Sequence, residues 1–190
     1  MNKLSIDKIC IAGILLGLGY ALPFLTGQIP EIGNMLCPMH IPVLIVGFIL
    51  GPYYGLILGF FLPISRSAFF GMPYFYPTSI AMAFELATYG FLSGFIFKIL
   101  QNKLKTDIIV NTLLALVIAL FGGRIVWGIA SFICNLTIQN SFTFKIFLAG
   151  AFINAWPGII LQIIIIPLLI KILSLNNKSK KYLIKFKGEE

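Results

Sequence analysis

The sequence predicts an all-α integral membrane protein, a bundle of six transmembrane helices, and three observations support this fold class. Of the 190 residues, 59% are hydrophobic and only 11% are charged, whereas roughly a quarter of a soluble domain is charged. Apolar windows near the ~20 residues that cross a hydrocarbon core recur from end to end. Alternating strands of ~10 residues, typical of outer-membrane barrels, are missing from the pattern, so the spans are predicted to be helical.

Six apolar segments are predicted as the helices. The first follows Lys3 and Lys8, and because no small-residue cleavage site is evident, we expect a retained helix rather than a signal peptide. The second and third are short and are joined by GPYYG, so they can act as a broken pair. The fourth and fifth are separated by a basic loop, and the fifth and sixth by a polar stretch. The predicted bounds are 7–27, 40–51, 53–70, 78–101, 107–136 and 144–174.

Lysine placement predicts the orientation, because short cytoplasmic loops carry an excess of Lys and Arg. Lysines surround the N-terminus, the fourth-to-fifth loop and the C-terminus, three regions that six spans put on one side. The opposite side has Lys145 alone, so both termini are expected to be cytoplasmic. The net charge of +8 is then a topology signal and does not indicate nucleic acid. We expect one membrane domain, 1–175, and a basic cytoplasmic tail, 176–190, that is solvated or binds lipid headgroups.

Six residues are candidates for substrate binding because the helical rise places all of them in the outer part of the bundle. A charge at such depth costs roughly 3 kcal/mol on insertion scales, so it is normally paired or lines a wet cavity. The inner part of the bundle is nearly pure hydrocarbon. This asymmetry predicts a cavity that opens outward above a sealed floor. The candidates are His40, Arg66, Glu85, Arg124, Trp127 and Asn154.

The charged candidates allow two interpretations. Glu85 is the only acid in the interior of a predicted helix, and either arginine can be its structural partner. Two arginines against one carboxylate leave a surplus positive charge, which suits an anionic or strongly hydrogen-bonding ligand. Arg66 lies nearer the end of its helix than Arg124, so we expect it to be the more hydrated of the two.

The other candidates also have structural alternatives. His40 can be a hydrogen-bonding residue at a helix start instead of a ligand contact. Trp127 can stack on a flat ligand or pack in the core or the interfacial belt. Asn154 is too deep for ordinary loop chemistry, which favours a ligand contact.

Several chemistries are not expected. The chain has no GxxxxGK[ST] motif for ATP, and it has no HExxH, GxSxG or acidic pair for hydrolysis, so we do not expect an enzyme. Cys10, Cys37 and Cys134 are scattered and are interpreted as structural. Cys37 and His40 have no second Cys/His pair, so no metal or other cofactor is expected.

Two further features concern contacts. Gly13, Gly17 and Ala21 recur every four residues in the first helix, and such a small-residue stripe lets another helix approach closely. The stripe serves either packing within the bundle or an external partner. The stretch 26–39, TGQIPEIGNMLCPM, is long and contains Gly and Pro, so it is either a lid or a passive connector.

With these features the chain resembles the substrate-binding S components of energy-coupling factor (ECF) transporters. The resemblance covers the chain except the basic tail and is most specific over 36–94, which includes HIPVLIVGFILGPYYGLILGF and AMAFELATYGF, with GRIVWG and NAWPGIILQ beyond. It implies a six-helix plasma-membrane protein that captures a vitamin or related micronutrient from outside. It also implies a transmembrane coupling protein and two cytoplasmic ATPases as partners, with toppling in the membrane to release the cargo.

The resemblance places Gly13, Gly17 and Ala21 on the coupling-protein face, where the family pattern commonly has alanines, and makes 26–39 the gate. Substrate residues differ between subfamilies, so the six candidates rest on the residue-level argument alone. The surplus positive charge slightly favours a carboxylate-bearing vitamin such as pantothenate. Aromatic rings with Glu85 suit pyridoxine or a thiamine precursor.

Two other functions remain as alternatives. One is a stand-alone secondary transporter or channel for a small organic solute, although no inverted repeat is visible. The other is a structural scaffold in the membrane.

Overall fold

A computed structural model describes residues 3–25, 29–103 and 106–175, and this part of the chain consists of helices joined by short connections. Five segments are long and apolar enough to cross a membrane, and a shorter apolar helix accompanies them. The predicted all-helical class is therefore confirmed, and six helices fit the membrane domain. The predicted tail, 176–190, lies outside the described residues. The helices are α1 (Lys3–Leu25), α2 (Pro30–Leu36), α3 (His40–Leu50), α4 (Pro52–Phe70), α5 (Ile80–Lys103), α6 (Ile108–Thr137), α7 (Phe144–Leu148) and α8 (Trp156–Leu175).

The short helix α3 is the centre of the bundle. It packs against α1, α4, α5 and α8, and nine of its eleven residues are buried. Eleven residues span only about 16 Å, roughly half of a hydrocarbon core. Gly51, at φ 101°, ends α3 and Pro52 begins α4, because glycine accepts a positive φ and proline fits the first helical turn. The break predicted at GPYYG is present.

Glycines bring α3, α4 and α5 into backbone contact. A Cβ added to Gly55 or to Gly90 would meet the backbone of the other residue, and one added to Gly59 would meet the backbone of Leu86. A Cβ on Gly47 would likewise meet the backbone of Gly90. Small residues allow membrane helices to approach closely. These glycines therefore determine the distances between α3, α4 and α5.

Helix α1 lies at the edge of the bundle and packs only on one side. Ile11, Leu15 and Leu16 contribute to an apolar cluster with α3 and α4. Gly13 and Gly17 lie on the other side, where a Cβ would meet nothing within 4 Å. The small-residue stripe of α1 is therefore not used for packing within the described bundle.

Two segments differ from the sequence-based prediction. The stretch 26–39 contains the helix α2, which starts with Pro30 and ends at Leu36, and the next residue, Cys37, has the left-handed backbone conformation. The last predicted helix, 144–174, is broken into α7, one π-helical turn at Ala149–Ile153, and α8. Pro157 explains the break, since proline lacks an N–H and its ring clashes with the carbonyl four residues earlier.

Candidate functional site

A cavity of about 390 Å³ lies over the N-terminal end of α3. Its wall is formed by residues of α1, α2, α4, α5 and α6 and by the segment that precedes α8. All six residues predicted for the site line this cavity, so the structure brings together side chains that are far apart in the sequence. They are His40, Arg66, Glu85, Arg124, Trp127 and Asn154.

Glu85 is the centre of a buried polar cluster in the wall. Its Oε1 atom lies 3.0 Å from Nη1 of Arg124 and 3.5 Å from Nε2 of His40, and it accepts a hydrogen bond of 2.9 Å from the hydroxyl of Tyr89. The exposed fractions of Glu85 and Arg124 are only 2% and 5%. Of the two predicted interpretations of Arg124, the structure shows the ion pair with Glu85.

Neighbouring residues position this cluster. Tyr89 follows Glu85 by four residues, so both side chains lie on the same face of α5. The Tyr89 ring packs against Gly123, where a Cβ would meet it, and against the ring of His40 at 5.2 Å between centroids. The Nη2 atom of Arg124 also lies 3.6 Å from Sγ of Cys37. Contacts from α3, α5 and α6 thus hold the ion pair in one geometry.

Arg66 lines another part of the wall, on α4. Its guanidinium carbon lies 5.2 Å from the ring centroid of Phe24 and 5.3 Å from that of Phe70. The Nη1 atom is buried and has no hydrogen-bond partner. The exposed fractions of Arg66 and Arg124 are 2% and 5%, so both side chains are buried and the structure does not show Arg66 as the more exposed of the two. Aromatic side chains from α1 and α4 cover it.

Trp127 and Asn154 line the cavity near the break in the last span. The Trp127 ring stacks on Phe147 with 27° between the planes, and Gly150 leaves room for it, since a Cβ there would meet the indole. Asn154 closes the π-helical turn by donating its backbone N–H to Ala149, and its side chain is exposed. The helix break therefore places the Asn154 amide next to the cavity and leaves room for the indole that α6 contributes.

Some features of the site were missed in the sequence. Cys37, which was interpreted as structural and was not selected as a candidate, lines the cavity beside Arg124. Tyr89 was not selected, although its spacing from Glu85 was visible. The prediction of an apolar inner part also overlooked Gln162, a buried residue whose side-chain Nε2 and Oε1 atoms have no hydrogen-bond partner. Gln162 lies eight residues beyond Asn154, which corresponds to a rise of about 12 Å along a helix axis.

The arrangement suits reversible binding of a small molecule. The volume is at the lower end of the range for small-molecule pockets, and the lining combines apolar side chains with a few fixed polar groups. His40 Nδ1, Arg124 Nε and Arg66 Nη1 are buried without partners, so a ligand can satisfy donors that the protein leaves unused. Within the described residues, no group of three His, Cys, Asp or Glu side chains could hold a metal ion.

Helices long and apolar enough to span a membrane, arranged around a mainly apolar cavity with a few polar side chains, are typical of a multi-pass membrane protein with a small-molecule site. The chain matches the family model described as ECF transporter, substrate-specific component, over residues 7–170. It therefore belongs to this family and is a substrate-specific subunit of an ECF transporter in the plasma membrane. No curated protein and no solved structure matches the chain. The family membership favours the transporter subunit over the stand-alone carrier and the scaffold.

Proposed function

We propose that this subunit captures a vitamin or related micronutrient from outside the cell and binds it in the cavity over α3. The observation that carries the proposal is that all six candidate side chains line one cavity in a chain of this transporter family. In this proposal His40, Arg66, Glu85, Arg124, Trp127 and Asn154 contact the substrate. A pantothenate-like anion is favoured, with pyridoxine or a thiamine precursor as the other candidates.

The proposed orientation has both termini in the cytoplasm and the cavity facing outward. Its support is the lysine distribution, because basic residues concentrate in short cytoplasmic loops. The cavity is lined by Pro23, which lies near the end of α1. The start of α1, the end of α5 at Lys103 and the start of α6 at Ile108 then lie at the opposite end of the bundle. In this orientation the stretch 26–39, from which Ile29, Gly33 and Cys37 line the cavity, is the proposed gate.

The proposed partners are a transmembrane coupling protein and two cytoplasmic ATPases. The support is that ECF substrate-specific components work with a membrane coupling protein and ATPases, and this sequence has no phosphate-binding loop motif of its own. Gly13 and Gly17 on α1 are exposed, and nothing within 4 Å would meet a Cβ there. With Ala21 they form a flat face that suits close approach of a partner helix.

Replacing Gly17 with leucine is expected to weaken association with the coupling module by about tenfold or more, or ~1.4 kcal/mol. The added side chain holds the partner helix away from α1. Substrate affinity of the isolated subunit is expected to stay within about twofold. Association is measured by co-purification with the coupling protein and ATPases. The matched control is Ala68→Leu, which changes an exposed alanine on α4. Equal losses of association in the two variants would contradict the proposed docking face on α1.

The purified subunit alone is expected to bind its substrate and yet accumulate none in proteoliposomes. The reason is that concentrative uptake needs a driving reaction, and the sequence contains no nucleotide site. Mass spectrometry of compounds released by denaturation identifies the substrate, and uptake is measured with and without the ATPase module. Uptake by the subunit alone, driven by an ion gradient, would show that the protein is a secondary carrier.

A further inference from the structure

The cavity wall holds a buried cation that no described residue neutralises. Arg66 has an exposed fraction of 2%, and its Nη1 atom has no hydrogen-bond partner. A guanidinium stays protonated in proteins, and burying an unpaired charge is costly. A side chain in this position is expected to receive its counter-charge from a molecule in the cavity.

The aromatic contacts of Arg66 hold it in place without neutralising it. The rings of Phe24 and Phe70 lie 5.2 and 5.3 Å from the guanidinium carbon, and they pack edge to face against each other. Cation–π contacts use the face of the rings and leave the positive charge unchanged. The planar N–H donors remain for a ligand, and their fork matches the two oxygens of a carboxylate.

Glu85 does not supply this counter-charge, because it is already engaged by Arg124 and Tyr89. Helix α5 packs against both α4 and α6, and Glu85 pairs with the arginine on α6. Among the described lining residues Glu85 is the only acid. Two arginines and one glutamate therefore leave one net positive charge, and the geometry assigns it to Arg66.

We propose that the substrate is a small organic anion whose carboxylate, or comparable negative group, pairs with Arg66. This inference rests on the proposed function of the cavity and specifies the substrate class. The uncharged remainder of the molecule lies toward Trp127, Asn154 and the unpaired donor of His40. The Glu85–Arg124 ion pair has no net charge and contributes only hydrogen bonding to the ligand. Uncharged ring compounds such as pyridoxine leave Arg66 unpaired and are therefore disfavoured.

The first experiment asks which compound the wild-type protein retains. Purified protein is incubated with a defined mixture of water-soluble vitamins and washed, and the retained molecules are released by denaturation and identified by mass spectrometry. Retention of a compound that is anionic at neutral pH is expected. Retention of an uncharged or cationic compound would refute the anion proposal while leaving the proposed function intact. Retention of nothing would refute the proposed function and this inference with it.

The second experiment compares the retained compound with its neutral amide or ester. Wild-type protein is expected to bind the anion about 10- to 100-fold more tightly, the range for a hydrogen bond to a charged group. In Arg66→Gln this preference is expected to shrink to less than about threefold. Arg66→Lys is expected to recover only part of it, because an ammonium lacks the planar fork. Affinities are measured by isothermal titration calorimetry.

Lys145→Gln is the matched control, because it removes an exposed cation on α7 that does not line the cavity. Its preference for the anion is expected to equal that of wild type. If Arg66→Gln lowers the affinity for both compounds equally, Arg66 has a structural role and the proposal fails. The wild-type comparison needs no variant, so equal wild-type affinities for the anion and its neutral form would also refute the proposal even if Arg66→Gln does not fold.

Discussion

Replacing Arg124 with alanine is expected to lower the free energy of unfolding by about 3–5 kcal/mol, because it leaves a buried carboxylate without its counter-charge. Glu85 has an exposed fraction of 2% and would keep only the hydroxyl of Tyr89 and the nearby ring of His40. Thermal unfolding of the detergent-solubilised protein, without added substrate, measures the loss.

The double variant Arg124→Ala/Glu85→Ala separates the ion pair from other roles of Arg124. Removing both charges is expected to recover most of the stability, since neither partner is then left buried and unpaired. Lys145→Ala, at an exposed position, is the control for removal of a cation. If Arg124→Ala stays as stable as wild type and only substrate affinity falls, Arg124 acts mainly as a ligand contact.

Replacing Gly90 with alanine is expected to destabilise the bundle by about 1–3 kcal/mol, the usual cost of overpacking, and Gly90→Leu is expected to prevent folding. The added Cβ of Gly90 would meet the backbone of Gly55. Backbone cannot rotate away as a long side chain can, so α4 and α5 must separate. The yield of monodisperse protein and its thermal midpoint measure the effect.

Gly17→Ala is the matched control for Gly90→Ala. Both substitutions add one methyl group to a membrane helix, but a Cβ at Gly17 meets nothing within 4 Å. Its effect is expected to stay within about 0.5 kcal/mol, as for surface substitutions in general. Equal stability of the two alanine variants would mean that α4 and α5 do not approach as closely as the structure shows.

The spans and the grouping of the candidate side chains at one end of the bundle could be predicted from the sequence, because both depend on hydropathy and on the helical rise. Counting residues from the predicted helix ends placed Arg66, Arg124 and Asn154 in the outer part of the bundle, with Arg66 nearer its helix end than Arg124. The structure brings all three into one cavity. The break between α3 and α4 was also visible, since Gly51 and Pro52 interrupt the apolar pattern.

The short elements could not be predicted in the same way, because tertiary packing stabilises them. Helix α2 has only seven residues, too few to be stable alone. It packs on α8 where a Cβ on Gly158 would meet the backbone of Met35 and Leu36. Pro157 was a signal for the break before α8. Proline also occurs inside α8 at Pro167, so the presence of a proline alone does not predict where the helix is interrupted.

The pairing of Glu85 could not be derived from depth either. Arg66 and Arg124 were both within reach of Glu85 by residue counting, and the choice depends on how α5 is rotated about its axis. Packing of Tyr89 against Gly123 on α6 indicates that this face of α5 is turned toward α6. Rotation follows from the fit of many side chains, which one sequence does not reveal.

The glycine contacts among α3, α4 and α5 have a consequence for changing the specificity of this protein. Since Gly47, Gly55 and Gly90 leave no space between the helix backbones, the frame around the cavity cannot be widened or narrowed by shifting these helices. The adjustable part is the lining, which includes Met39, Met72 and Met82, flexible side chains that adapt to irregular shapes. Redirecting the subunit to a different solute therefore calls for exchanging the lining methionines while every framework glycine is kept.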